Sequence, residues 1–418
     1  MSQRTEIKLE FLGISGINNF IANMSSPRGS MDASHFSGSH ALIAPDENLI
    51  KSGIEYELGK TINHPVSQED CVVKAIIPRY KVPGRTPPEI TLIVQYEKND
   101  KIVIDIIHVA AQNSTHGYFG YTQEYTPELL NLQYGDPLPK GTVLAAAASY
   151  GEEGTYRYGL NANVVFMSHP SCSDDGYVVS ESFAKRAGYL SMSKRVINIT
   201  KNTIPVNVNG DENHFKFIPD LGEYVRPDGL LCATRERNDW FSISDMNTRN
   251  LCEVDMSFDT LHYVNPGSFV MDVKVVRGNY LKSEFSSRMT EQLDAQAEMY
   301  INYCRAVQQQ YEKIISNLKA VFSSTDHVIT TGECHRHVTD CIILVRHADS
   351  GKSRLMYRKL PIDQYRVEVT VGTVLVPGLG AKLTDRMAAK GVVCAVLPDD
   401  QMPVDEQGNV ADITSDLS

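Results

Sequence analysis

The 418-residue chain contains no run of eighteen apolar residues, so no segment reads as a membrane-spanning helix. Its opening, MSQRTEIKLEF, lacks the apolar stretch of a secretory signal, and the expected location is a cytosol. Cysteines are few and scattered: Cys71, Cys172, Cys232, Cys252, Cys304, Cys334, Cys341 and Cys394, with no CxxC pair. A disulfide framework does not suit so large a chain. The pattern GxxxxGK[ST] is missing, which excludes a P-loop. Positive charge is also short, with 40 Lys and Arg against 51 Asp and Glu, a net charge of −11. A protein that grips nucleic acid alone is usually basic, so a free-standing DNA binder is disfavoured. A local basic patch inside an acidic assembly is not.

What is present is ordinary globular material, 42% hydrophobic and 22% charged, at a length that suits two to four domains. Residues 10–60 are rich in Gly, Ser and Asn, centred on SSPRGSMDASHFSGSH, and read as loops between short elements that could line a site. The stretches CVVKAIIP, ITLIVQYE and KIVIDIIHV between residues 70 and 110 have strand character. Two later segments echo each other, GDPLPKGTVLAAA at 135–147 and GEYVRPDGLLCAT at 222–234. Each predicts a turn feeding a strand.

Residues 265–277 read as a further strand, after which the period changes. Met289, Leu293, Ala297, Tyr300, Cys304, Val307, Tyr311, Ile314 and Leu318 fall at steps of three and four, one face of a helix. About 34 residues would make a rod of roughly 50 Å, either packed, one arm of a coiled coil, or a docking helix for a partner. Strands are expected again at 341–346 (CIILVR) and 365–377. Cys334, His335, His337 and Cys341 are zinc-type ligands, but their spacing is cramped and the region reads as extended. The plain alternative is a polar strand or loop edge.

The densest chemistry lies in GLGAKLTDRMAAKGVVCAVLPDDQMPVDEQGNVADI at 378–413. Lys382, Arg386 and Lys390 recur every four residues. In a helix they would share a face. In a loop, Gly378, Gly380 and Gly391 would let backbone approach a ligand. Cations among glycines suit a phosphodiester, and a solvated basic face is the bland alternative.

This stretch resembles a segment of the β subunit of multisubunit DNA-dependent RNA polymerases, which runs GDK, three residues, R, three residues, KGV, then DMP, DE, G and DI. Here the matching residues are GAK at 380–382, Arg386, KGV at 390–392, QMP at 401–403, DEQG at 405–408 and DI at 412–413. The likeness extends backward in order: GEYVRPDGLLCAT resembles the flap, NVVFMSHPSCSDDGYVVSE at 163–181 a segment bearing a Glu–Asp pair, GDPLPKGTVLA the segment before that pair, LIKSGIEY the family's LVGTGMEY, and FIANMSSPRGSM its FLEHDDANRALM. The resemblance implies that Lys382 and Lys390 contact the 3′ end of RNA. It further implies that Arg28 meets the triphosphate of the incoming nucleotide, with Arg386 beside it as a substrate-binding residue. Asp174 and Asp175 would face the second, nucleotide-borne magnesium, with Asp174 an indirect contact at most. The departures are Ala381 for the family's Asp, Met387–Ala389 for His-Gly-Asn, and Asp174 for Glu.

The implied fold is α+β, β-rich and multidomain: a barrel-like β-sheet core with a flap domain and a long helix. The expected divisions are 1–60 (active-site loops), 61–195 (first part of the hybrid-binding domain), 196–280 (flap), 281–340 (long helix and connector) and 341–418 (second part, with the lysine segment). The family's primary Mg²⁺ is held by DFDGD on the β′ subunit, and no DxDxD occurs here. The implied partners are therefore β′ and other β chains, DNA template, RNA and nucleotides, and no membrane. The extent of the chain suggests a split β subunit like those of giant bacteriophages, inactive alone and working with a phage-specific initiation subunit. Its place would be the infected host's cytoplasm, a nucleus-like compartment, or the virion. Rival readings are a virion scaffold protein and a catalytically inactive β paralogue. Trp240 is a candidate docking anchor in the flap, or a core aromatic.

Overall fold

The computed structural model describes residues 16–18, 20–80, 87–116, 119–151, 153–172, 175–237, 252–279, 287–322, 327–351, 355–357 and 359–416. Asp174 and Trp240 lie outside them. Among the described residues the architecture is α+β, with five sheets and two long helices. The short helices are α1 (Ser26–Ser37), α2 (Ile54–Gly59), α3 (Pro127–Leu130) and α4 (Glu181–Arg186), and the long ones are α5 (Ser287–Val321) and α6 (Gly332–Ser350). No helix among the described residues is long and apolar enough to cross a membrane.

The first sheet has the order β15 (Val328–Thr330), β3 (Lys101–Val109), β2 (Glu89–Lys98), β1 (Cys71–Arg79), β6 (Pro137–Leu138). In β1 the burial alternates residue by residue, as the pleat dictates for a strand covered on one face. The second sheet runs β14 (Phe269–Arg277), β18 (Tyr365–Leu375), β10 (Tyr189–Ile199), β5 (Phe119–Tyr125), β4 (Gln112–His116), with β7 (Ala145–Ala147) paired to β5. A three-stranded sheet orders β11 (Thr203–Pro205), β12 (Leu230–Glu236) and β13 (Asp259–Tyr263), and β16 (Met356–Tyr357) pairs with β17 (Leu360–Pro361). The last sheet is β19 (Lys382–Thr384), β20 (Lys390–Leu397), β9 (Gly176–Ser180), β21 (Ile413–Ser415), β8 (Val164–Phe166). The β-rich α+β architecture is as expected, and none of these described sheets closes into a barrel.

The two echoing segments each carry two glycines with positive φ: Gly135 and Gly141 in one, Gly222 and Gly229 in the other. A Cβ on Gly229 would sit 2.5 Å from the Val264 carbonyl oxygen, so that turn excludes side chains both by conformation and by space.

Helix α5 buries Leu293, Ala297, Cys304, Val307 and Ile314, largely the stripe the spacing predicts. It packs on α6 and on β1 and β14. Burying such a stripe, at roughly 1.5–3 kcal/mol per large aliphatic side chain, is what stabilises a helix of this length. The expected strand at 341–346 is instead part of α6. Thr331 caps that helix, its hydroxyl accepting from the Cys334 amide, and Gly351 ends it in the left-handed region. Cys334, Val338, Cys341 and Val345 are buried on its inner face. Helix α6 runs across the expected division at 340, and β10 across the one at 195.

The zinc-type set is therefore distributed around a helix. His335 is exposed while Cys334 and Cys341 are buried. His337 Nε2 lies 3.0 Å from the Tyr303 hydroxyl and 3.7 Å from Cys341 Sγ. The Tyr303 hydroxyl in turn lies 2.7 Å from Thr91 Oγ1, so these side chains already satisfy one another. Among the described residues no group of three or more His, Cys, Asp or Glu side chains is disposed to hold a metal.

Candidate active site

Lys382 and Lys390 stand on the two strands of a hairpin, so neither the helix nor the simple loop open in the sequence is realised. The register pairs Lys382 with Val392 and Thr384 with Lys390. Residues two apart on a strand share a face, which places both lysines on one face as a diagonal cross-strand pair, roughly 7–8 Å apart. Both are exposed, and among the described residues neither ammonium has a carboxylate in ion-pair range. The loop is closed by Asp385, whose Oδ1 accepts from the amides of Met387 and Ala389, each at 2.8 Å. Its backbone amide donates to the Ala389 carbonyl at 3.0 Å. Ala388 sits at φ 60°, a left-handed position that costs a non-glycine residue energy and that its burial and the Asp385 contacts must hold.

Asp175 comes to this hairpin through the parallel pairing of β20 with β9. Its carbonyl accepts from the Val392 amide at 3.1 Å, and its own φ is 59°. A Cβ on Gly391 would lie 2.4 Å from that carbonyl and 2.6 Å from the Tyr177 ring. The glycine after Lys390 is thus required by close approach of the strands, which brings the backbone of the exposed Asp175 against the strand that carries Lys390.

Arg28 arrives from the first turn of α1. The segment read as loop is helical, with Pro27 in the first turn, where its missing N–H is harmless. Arg28 Nη1 donates to the Ala388 carbonyl at 3.1 Å. On the same helix His35 Nδ1 lies 3.1 Å from Thr384 Oγ1, the residue opposite Lys390. Arg386 points differently from the lysines. Its Nη2 donates to Asn48 Oδ1 at 2.7 Å and its guanidinium lies 5.0 Å from the Tyr158 ring centroid, a cation–π contact. Tyr158 in turn meets Phe36 of α1 edge-on at 4.9 Å. Burial pushes the Tyr158 hydroxyl above its ordinary range despite the Arg386 charge.

Sequence reasoning missed Asn18, Asp32, His35, Asn48, Tyr158 and Asp385. Asp385, a turn former within TDRMAA, carried a local signal. Asn18, His35, Asn48 and Tyr158 make their contacts at the site with residues more than a hundred positions away, and Asp32 enters it only through Asn18; none of them carried a local signal.

The arrangement collects Arg28, Lys382 and Lys390 around one hairpin, exposed and suited to phosphate oxygens. For magnesium, the described carboxylates at the hairpin are Asp175 and Asp385, the latter already accepting two loop amides, and among the described residues no group of three or more carboxylate, His or Cys side chains forms the compact ligand set that Mg²⁺ demands.

The family model described as RNA polymerase Rpb2, domain 6, matches residues 131–415. Curated proteins gave no match. The matched region exceeds half of the chain and contains both the lysine hairpin and the strand that carries Asp175, so the chain belongs to the RNA polymerase Rpb2 domain 6 family and is part of a DNA-directed RNA polymerase β subunit.

Proposed function

We propose that this chain forms one wall of a nucleotidyl-transfer centre. Lys382 and Lys390 hold the 3′ end of the nascent RNA, and Arg28 neutralises the triphosphate of the incoming nucleotide. Arg386 supports this binding from behind, through the loop that carries the hairpin. Asp175, at the residue leading into β9, would face the second, nucleotide-borne magnesium, and Asp174, outside the described residues, is assigned the same role from the resemblance alone. The observation that carries the reading is the joining of three distant segments, around residues 28, 175 and 382–390, at one exposed hairpin. The hairpin register fixes the backbone positions from which the two lysines project on one face, so both ammonium groups can reach the same phosphate. The metal-binding carboxylates would come from a β′-like partner, and the chain alone would make no RNA.

The test is Lys382→Ala in the assembled polymerase. By analogy with the removal of one donor from an oxyanion site, nucleotide addition should slow roughly 10²- to 10³-fold, with assembly intact because the side chain is exposed. Wild-type elongation would refute the assignment. Wild-type elongation by every cationic variant would favour an inactive paralogue, and a chain that assembles only with itself would favour a scaffold.

A further inference from the structure

Beneath the hairpin, and outside the set of cations, lies a buried polar pair. Asp32 on the inner side of α1 is 0% exposed. Its Oδ2 accepts from Asn18 Nδ2 at 3.1 Å, and among the described residues its Oδ1 has no hydrogen-bond partner. The same Asn18 amide donates to the Arg386 carbonyl in the hairpin loop, 368 positions away, and contacts Met24 Sδ at 3.1 Å. Asn18 is itself 1% exposed, and its Oδ1 accepts from the Phe20 amide at 2.8 Å.

A buried carboxylate with one oxygen unmatched is costly. Burial, reinforced by the Asp385 charge, pushes the Asp32 carboxyl above the usual range, against the pull of Asn18, His35 and Arg386. The fold keeps the pair at the junction of α1 and the lysine loop, where three other contacts converge. These are Arg28 to the Ala388 carbonyl, His35 to Thr384, and Arg386 to Asn48.

We infer that Asn18 and Asp32 are positioning residues: Asp32 orients the Asn18 amide, which fixes the Arg386 backbone and so sets where Lys382 and Lys390 stand relative to Arg28. The inference rests on the proposed active-site role of the hairpin and adds two residues that touch no substrate. Asp32 supplies the acceptor that keeps the Asn18 NH₂ turned toward the loop. Without it, one loop carbonyl loses its donor and the hairpin can shift against α1. A misplacement of about 1 Å at a reacting centre can cost on the order of 10²-fold in rate, whereas the nucleotide's own binding contacts are untouched.

The experiment uses the assembled polymerase carrying Asn18→Ala, Asp32→Ala or Asp32→Asn, with Lys382→Ala alongside. Single-nucleotide addition is measured per assembled complex as a function of nucleotide concentration. Asn18→Ala and Asp32→Ala should lower the maximal rate by about 10- to 100-fold with little change in KM, and Asp32→Asn, which keeps an acceptor for Asn18, should recover most of that loss. A merely structural pair would lower the yield or melting temperature of the complex and leave the rate per complex unchanged, and that result would overturn the inference. An equal loss in Asp32→Asn and Asp32→Ala would overturn the orienting role. If Lys382→Ala also proceeds at the wild-type rate, it is the hairpin reading that fails. If Lys382→Ala is slow while Asn18→Ala and Asp32→Ala are not, only the positioning inference fails.

Discussion

Gly391→Ala probes the contact between the lysine hairpin and the strand of Asp175 with a single methyl group. The new Cβ would lie 2.4 Å from the Asp175 carbonyl oxygen, where ordinary contact begins at 3.4 Å. The Tyr177 ring can swing away, but the carbonyl is backbone of the residue leading into β9 and accepts the Val392 amide at 3.1 Å. Relief therefore requires β20 to move about 1 Å from β9 at this point, enough to break that hydrogen bond. Overpacking of this kind costs roughly 1–3 kcal/mol, and the bond roughly 0.5–1.5 kcal/mol more. Differential scanning fluorimetry should show a fall in melting temperature of about 3–10 °C, taking a few degrees per kcal/mol. Gly378→Ala is the internal control, because its Cβ meets nothing within 4 Å and should stay within about 0.5 kcal/mol of the parent. In the assembled polymerase, Gly391→Ala should also slow nucleotide addition, since the displacement moves Lys390 relative to Asp175. Equal melting temperatures for the two alanine variants would refute the strand contact from which the site is built.

Two further outcomes test the α5–α6 layer. Burial, helped by the nearby His108 and Lys274, holds the His337 imidazole down to about 4 from its ordinary 6.5, so the fold favours the neutral ring. The resulting cost is absent above pH 6.5, grows as pH falls toward 4 and is complete below it. It amounts to roughly 1–3 kcal/mol after allowance for solvent screening, and urea denaturation of His337→Gln between pH 7 and 4 should show a flatter pH dependence than the parent. Thr331→Ala removes the cap of α6, whose hydroxyl also donates to Asp105 Oδ1 at 2.5 Å. It should destabilise by about 1–2 kcal/mol in the same assay, whereas a strand at 341–346 would leave stability unchanged.

How far the sequence could be read depended on whether the deciding contacts were local. The stripe from Leu293 to Leu318 has a period only a helix uses, and α5 follows it. CIILVR is a short apolar run, which strand and buried helix share. The arbitrating signal was the wider spacing Cys334, Val338, Cys341, Val345, which fits one helical face. SPRGSMDASHFS looked like loop because of its Gly and Ser, yet it is helical where α1 packs against the lysine loop through Arg28 and His35. The four-residue spacing of Lys382, Arg386 and Lys390 leaves helix and loop both open, and the Asp385 turn and the partner strand β9 decide for a hairpin. That hairpin turns Arg386 toward Asn48 and Tyr158 and leaves the lysines exposed. The family resemblance named the cations, but nothing local named Asn18 or Asp32, whose significance exists only once residues hundreds of positions apart are brought together.

The central claim is that the 3′ end of the RNA rests on the hairpin of residues 382–390. The most direct measurement is photocrosslinking in the assembled, transcribing polymerase, with a 4-thiouridine at the RNA 3′ terminus and the attachment site mapped by mass spectrometry. Attachment is expected within 378–397 and should be lost when both lysines are replaced by alanine. Attachment elsewhere in the polymerase, with none in this segment, would contradict it.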